Sequence, residues 1–126
     1  MSFIISHHIN YTLITASTAK IDAIISPNLK SELVILNKKG IKNIILDLEL
    51  VKYCDSSGLS ALLIGDRICK DLNGSFMICN LQPSVQKLIS ISQLTTILNI
   101  KTSVKEAVDS NFVEEIEKKI GSGQAT

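Results

Sequence analysis

Asn43-Ile44-Ile45-Leu46-Asp47-Leu48, followed after a short loop by Asp55-Ser56-Ser57-Gly58-Leu59, decides how this chain folds. The first stretch is an apolar run of strand length, which suits a central strand covered on both faces. The second opens a helix, because Asp and Ser are the ordinary N-cap residues and either Asp55 or Ser56 can serve. Ser57 then sits in the first turn with its hydroxyl near solvent. The helix is predicted from about Ser57 to Asn73, with Gly74 ending it. A junction between a strand's carboxyl end and a helix's amino end lies at the rim of a sheet. Free N–H groups and the positive end of the helix dipole point there.

Toward the N-terminus, Ser26-Pro27 reads as a helix start in which Ser caps and Pro takes the first turn. Leu29, Leu33 and Leu36 recur at helical spacing, and Gly40 supplies the stop. Phe3 to His8 and Tyr11 to Ser17 are β-prone runs that predict a hairpin around Ile9-Asn10. Toward the C-terminus, Ser75 to Cys79 is a second buried strand. Pro83 opens a helix carrying Val85, Leu88 and Ile89, and Thr96 to Ile100 is a last short strand. Ser103 and Glu106 form a capping box before a helix whose apolar positions are Val104, Val108, Phe112, Ile116 and Ile120. Glu114, Glu115 and Glu117 precede Lys118 and Lys119, so i,i+4 pairs are expected on its exposed face.

Strands alternating with helices imply β-α-β crossovers and a largely parallel sheet, to which the hairpin adds an antiparallel edge. The expectation is a single α/β domain over 1–120 with a mixed, mostly parallel sheet of about five strands and about four helices. Residues 121–126 are expected to be a disordered tail.

Composition narrows the function. The 126 residues fit one domain, 45% apolar and 20% charged. With no Trp, two Tyr and three Phe, the core must be built from Ile, Leu and Val. A net charge of +1 without a Lys/Arg block leaves no electrostatic footprint for nucleic acid or for a membrane surface. Cys54, Cys69 and Cys79 lack disulfide or zinc spacing and read as buried free thiols. There is no signal-peptide pattern at Met1 to Ile5 and no run of roughly 20 apolar residues, so a soluble cytoplasmic protein is expected. His7 and His8 point to opposite faces of a strand and hold no metal together. No G-x-G-x-x-G or P-loop occurs, and Asp55 with Ser57 lacks the His of a hydrolase triad. Neither catalysis nor a cofactor is expected.

Taken alone, Asp55-Ser56-Ser57-Gly58 reads as a capping sequence and no more. Its surroundings add a resemblance. Ala19-Lys20-Ile21-Asp22 before Ser26-Pro27-Asn28-Leu29 resembles the G-x-[IL]-D segment of the STAS domain family. Asp55-Ser56-Ser57-Gly58-Leu59 resembles its D-[ST]-[ST]-G-[LIV] signature. Gly74 to Leu81, Pro83-Ser84-Val85, Leu94 to Ile100, Ser103 and Glu106-Ala107 follow in the family's order and spacing. The likeness covers about Tyr11 to Val108 and is greatest to the single-domain bacterial anti-sigma factor antagonists. One departure is Ala19, where the family has Gly and a positive-φ turn is in question.

The resemblance implies a partner-switching protein. Its partners would be an anti-sigma factor with serine kinase activity and a PP2C-type phosphatase. Ser57 would be the phosphorylated residue, and Asp22, Asp55, Ser56, Ser57 and Gly58 would face the partner. Ser56 then reads as a cap or support. Helix geometry adds Leu63, which falls opposite the core stripe of Ala61, Leu62, Gly65, Ile68, Cys69 and Leu72, among Ser60, Arg67 and Lys70. The runner-up is a non-phosphorylated scaffold module in a signalling or lipid-transport complex. A response regulator is weaker, because Asp47 stands without an acidic cluster.

Overall fold

The computed structural model describes residues 2–121. Strands β1 (Phe3–His7) and β2 (Thr12–Ala16) form the predicted antiparallel hairpin, with Phe3 opposite Ala16. β3 (Lys20–Ile21) leads through a turn to α1 (Ser26–Lys38), and β4 (Asn43–Asp47) follows. β5 (Tyr53–Cys54) opens into α2 (Ser56–Asp71). β6 (Ser75–Cys79), α3 (Pro83–Ile91), β7 (Asn99–Lys101) and α4 (Val104–Gly121) complete the described chain. The tail expected over 122–126 lies outside the described residues; Gly121 is the last residue of α4.

The main sheet has the order β1-β2-β4-β6-β7, parallel except at the hairpin. This is the mixed, mostly parallel α/β architecture expected. β4 is central, and its residues are buried on both faces by the two-residue alternation of a strand. Ile44 and Leu46, with Phe76 and Ile78 of β6, join Leu29 and Leu33 of α1, Leu62 of α2 and Ile89 of α3 in the large core. Ile45, Met77 and Cys79 face the other way, onto Ala107, Val104 and Val108 of α4. A second sheet, not anticipated from sequence, pairs Lys20 with Tyr53 and Ile21 with Cys54 in parallel. Two residues per strand are too few to leave a hydrophobic period.

Several expectations need correction. Ser26 does not cap α1: Ile25 holds that position and Ser26 is the first helical residue. The turn after α2 is made by Asn73 at φ +61°, not by Gly74. Gly74 is needed because a Cβ there would sit 1.9 Å from the Lys42 carbonyl oxygen. β7 starts at Asn99 rather than Thr96, since the Ile97 and Leu98 N–H groups turn back onto the Leu94 carbonyl. In the capping box, Ser103 Oγ accepts from Glu106 N–H at 3.1 Å, but Glu106 reaches back to Thr102 N–H at 2.9 Å. The two histidines take separate partners: His7 bonds Thr12 at 3.1 Å, while His8 bonds Ser6 at 3.0 Å and stacks on Tyr11.

The α4 stripe is the largest correction. Val104 and Val108 face the sheet, but Phe112, Ile116 and Ile120 are exposed. Val104 already lies near the middle of the sheet-facing arc, so each four-residue step, which rotates by about 40°, carries its row further off, whereas a row begun at Ala107, about 60° to the other side, crosses the arc. The sheet-facing row runs instead through Ala107 and Asn111 to Glu115 and Lys118. Buried Asn111 donates to the Asn10 carbonyl at 3.2 Å and accepts from Ser75 Oγ at 3.1 Å. Glu115 pairs with Lys42 at 3.2 Å and with Lys118, three residues on, at 3.3 Å. Burial pushes the Glu115 carboxyl up, but the two lysines outweigh that and hold it below the usual range.

Candidate functional site

Two hydrogen bonds, on either side of the α2 cap, bring the α1 approach and the α2 amino end together. Asp55 N–H donates to the Ile21 carbonyl at 3.4 Å, next to the β3–β5 pair. Asp55 is the N-cap of α2, with extended backbone, and Oδ1 accepts from Ser57 N–H at 2.9 Å and Gly58 N–H at 3.1 Å. Across the gap, Ser57 Oγ lies 3.1 Å from Ser26 Oγ, a contact between residues 31 apart in sequence.

The hydroxyl of Ser57 also donates to Asp55 Oδ1 at 2.5 Å. That bond is the largest influence holding the Asp55 carboxyl below its ordinary range, followed by the Gly58 N–H; partial burial opposes both, and the Ser57 and Ala23 N–H groups add to them. A carboxylate that stays ionised and grips one hydroxyl fixes that hydroxyl's direction. Gly58 is buried, and a Cβ there would lie 2.4 Å from Cys54 Sγ and 2.5 Å from the Ile21 carbonyl oxygen. The helix start can approach β3 this closely only with glycine.

Asp22 belongs to the cluster through its backbone. Its carbonyl accepts from Ser26 Oγ at 2.7 Å and from Ser26 N–H at 2.8 Å. Its carboxylate accepts from the Ile24 and Ile25 N–H groups, each at 3.1 Å, and so shapes the turn into α1. Ala19 takes no positive φ; its carbonyl accepts from Lys52 and Tyr53 N–H, so the departure from Gly is accommodated.

Asp22, Asp55, Ser57 and Gly58 are therefore neighbours in space. Ser56 is exposed as the first helical residue and is not the cap. Leu63 does not stand free, because it is half-buried and packs against the core. It also lies six residues along α2 from Ser57, roughly 9 Å of axial rise. Two features escaped the sequence. Ser26 is 1% exposed and meets Ser57, and Ile24, beside the cluster, is 80% exposed. An Ile in a turn carries no local signal of its exposure, and a Ser before Pro reads as a cap. Leu50 and Tyr53 are also exposed in the segment leading to Asp55.

The three thiols are buried and unpaired. Burial, then the Asp55 charge, pushes Cys54 up to about 11. Burial and neighbouring acids push Cys69 and Cys79 up to about 12. None is a nucleophile at neutral pH. Among the described residues, no helix is long and apolar enough to cross a membrane.

The STAS domain model matches residues 4–107. Over 84 residues, 67% of this chain and 72% of the other, the sequence is 30% identical to BtrV of Bordetella bronchiseptica, by its name a candidate anti-sigma factor antagonist. A structure from Thermotoga maritima, described as a candidate anti-sigma factor antagonist, superposes with a TM-score of 0.77 at 19% identity, over 86% of this chain and 93% of that one. The phosphorylated form of the Bacillus cell fate determinant SpoIIAA superposes with a TM-score of 0.67 at 20% identity, over 86% of this chain and 97% of that one. At those identities the two structures speak to the fold.

Proposed function

This chain belongs to the STAS domain family, and from that premise we propose that it is an anti-sigma factor antagonist switched by phosphorylation of Ser57. In this reading it binds an anti-sigma factor with serine kinase activity in the cytoplasm, and a PP2C-type phosphatase resets it. The observation that carries the reading is the 2.5 Å bond from Ser57 Oγ to Asp55 at the start of α2. An acceptor hydroxyl has to present one oxygen lone pair to an incoming phosphorus while its proton has somewhere to go. Phosphoryl transfer from a nucleoside triphosphate forms the Ser57 O–P bond and breaks the bond from the γ-phosphorus to the bridging oxygen. Nucleoside diphosphate leaves, and the hydroxyl proton passes toward Asp55.

The product suits its position. Phosphoserine brings about −1.5 to −2 charges, which a helix N-terminus tolerates through its free N–H groups and dipole. The fold is expected to survive. The interface is not, because the new charge stands beside ionised Asp55 on the surface that carries Asp22, Ser56 and Ile24. Exposed apolar side chains with a polar surround are the usual make-up of a protein-binding patch.

Incubation with ATP and the candidate kinase, followed by peptide mass spectrometry, tests the reading. One phosphate on Ser57, absent in Ser57→Ala, is expected; phosphate elsewhere, or none, overturns it. In pull-down with the anti-sigma factor, Ser57→Ala should bind and Ser57→Asp should not.

A further inference from the structure

The hydroxyl groups of Ser26 and Ser57 carry two hydrogens between them and take part in three contacts. The Ser57 hydrogen goes to Asp55 at 2.5 Å, and the Ser26 hydrogen goes to the Asp22 carbonyl at 2.7 Å. The remaining contact, 3.1 Å between the two oxygens, needs one of these same hydrogens, and either oxygen can be its donor. Ser26 is 1% exposed, while Ser57 is half-buried. The Ser26 hydrogen is the one that turns at least cost, because the Ser57 hydrogen is held by an ionised carboxylate. Asp22 does not depend on it, since its carbonyl also accepts from the Ser26 N–H at 2.8 Å and the Ile25 N–H at 3.2 Å.

A phosphoryl group on Ser57 removes the Ser57 hydrogen and leaves only acceptors at that position. We propose that Ser26 is a positioning residue of the Ser57 site: on phosphorylation its hydroxyl turns from the Asp22 carbonyl to the phosphoryl group and carries the change into the turn at Asp22–Ser26. This rests on the reading of Ser57 as the acceptor. The turn is the right receiver. It presents exposed Ile24, and it runs between Ile21, whose carbonyl accepts from Asp55 N–H, and Ser26, which meets Ser57.

The test installs phosphoserine at position 57 of the full chain by genetic-code expansion, so no kinase is needed. The phosphate is titrated by ³¹P NMR, with and without Ser26→Ala. Loss of a donor to the dianion should move its second ionisation up by about half a pH unit. Amide signals of Asp22 to Ser26 should shift on phosphorylation in the parent, and by less than half as much in Ser26→Ala. An unchanged titration together with unchanged amide shifts overturns the proposal. If Ser26→Ala does not fold, Ser26→Cys keeps the volume, donates only weakly, and is read in the same way. A kinase assay that spares Ser57 counts against the acceptor reading alone, because this measurement uses no kinase.

Discussion

Ser57 Oγ and Asp55 Oδ1 stand 2.5 Å apart, and the same carboxylate oxygen takes the N–H groups of Ser57 and Gly58. One oxygen therefore caps the helix and aims the hydroxyl. Asp55→Asn separates these tasks, since an amide oxygen still caps but carries no charge and is a far weaker proton acceptor. Its melting temperature should stay close to the parent's. Phosphate incorporation by the cognate kinase should fall on the order of 10²-fold, the low end for loss of a positioned acid–base group. Equal rates for Asp55→Asn and parent would remove Asp55 from the acceptor site.

The same pair sets a pH dependence. Because the folded Asp55 carboxyl lies below its ordinary value of about 3.9, its contribution is fully present above that pH and is lost as pH falls through the lower, folded value. A ¹³C titration of Asp55 should give a midpoint below 3.9. Ser57→Ala should raise it, because the Ser57 hydroxyl is the largest cause of the depression. A midpoint that ignores Ser57 would place the cause elsewhere.

Gly58 tests how tightly α2 seats on β3. The added Cβ of Gly58→Ala meets a side-chain sulfur at 2.4 Å and a backbone carbonyl at 2.5 Å. A loss of about 1–3 kcal/mol in urea denaturation is expected for this overpacking. Adding Cys54→Ala relieves the sulfur contact but leaves the Ile21 carbonyl in place. The double variant should recover little, and full recovery would show that the carbonyl moves freely.

Two other glycines mark how far the sequence could be read. Gly40 was legible as a helix stop and does take φ +78°. Gly74 has the same local appearance, yet its reason is the Lys42 backbone more than thirty residues away. The central strands were legible because both faces of β4 and β6 are apolar. In the same way, Asp55-Ser56-Ser57-Gly58 marked a helix start, but the Ser26–Ser57 contact depends on how α1 lies against α2. That information is tertiary, like the rotation of Phe112 away from the sheet. Gly40→Ala should cost about 1 kcal/mol for its backbone conformation. Gly74→Ala should cost more, about 2–3 kcal/mol, and the reverse order in denaturant melts would contradict the close approach.

The thiols give a check on the core that does not involve partners. With Cys54 held at about 11 and Cys69 and Cys79 at about 12, thiolate is scarce at neutral pH and access is closed. Reaction with a disulfide reagent should be slow in buffer, should reach three thiols per chain in denaturant, and should track global unfolding. A fast phase in buffer would mean that β5, α2 or β6 opens locally.

Ile24 offers the cleanest test of the binding face. At 80% exposure it contributes little to the core, whereas Leu63 is half-buried against it. Ile24→Ser should therefore leave stability within about 0.5 kcal/mol of the parent. Leu63→Ala should destabilise the fold, so any binding loss it shows is ambiguous. In titration calorimetry against the anti-sigma factor, Ile24→Ser should weaken binding at least about tenfold, the loss of one apolar anchor. Unchanged affinity would move the interface off the Asp22–Ser26 turn, even with Ser57 as the acceptor, because the two residues would then serve different surfaces.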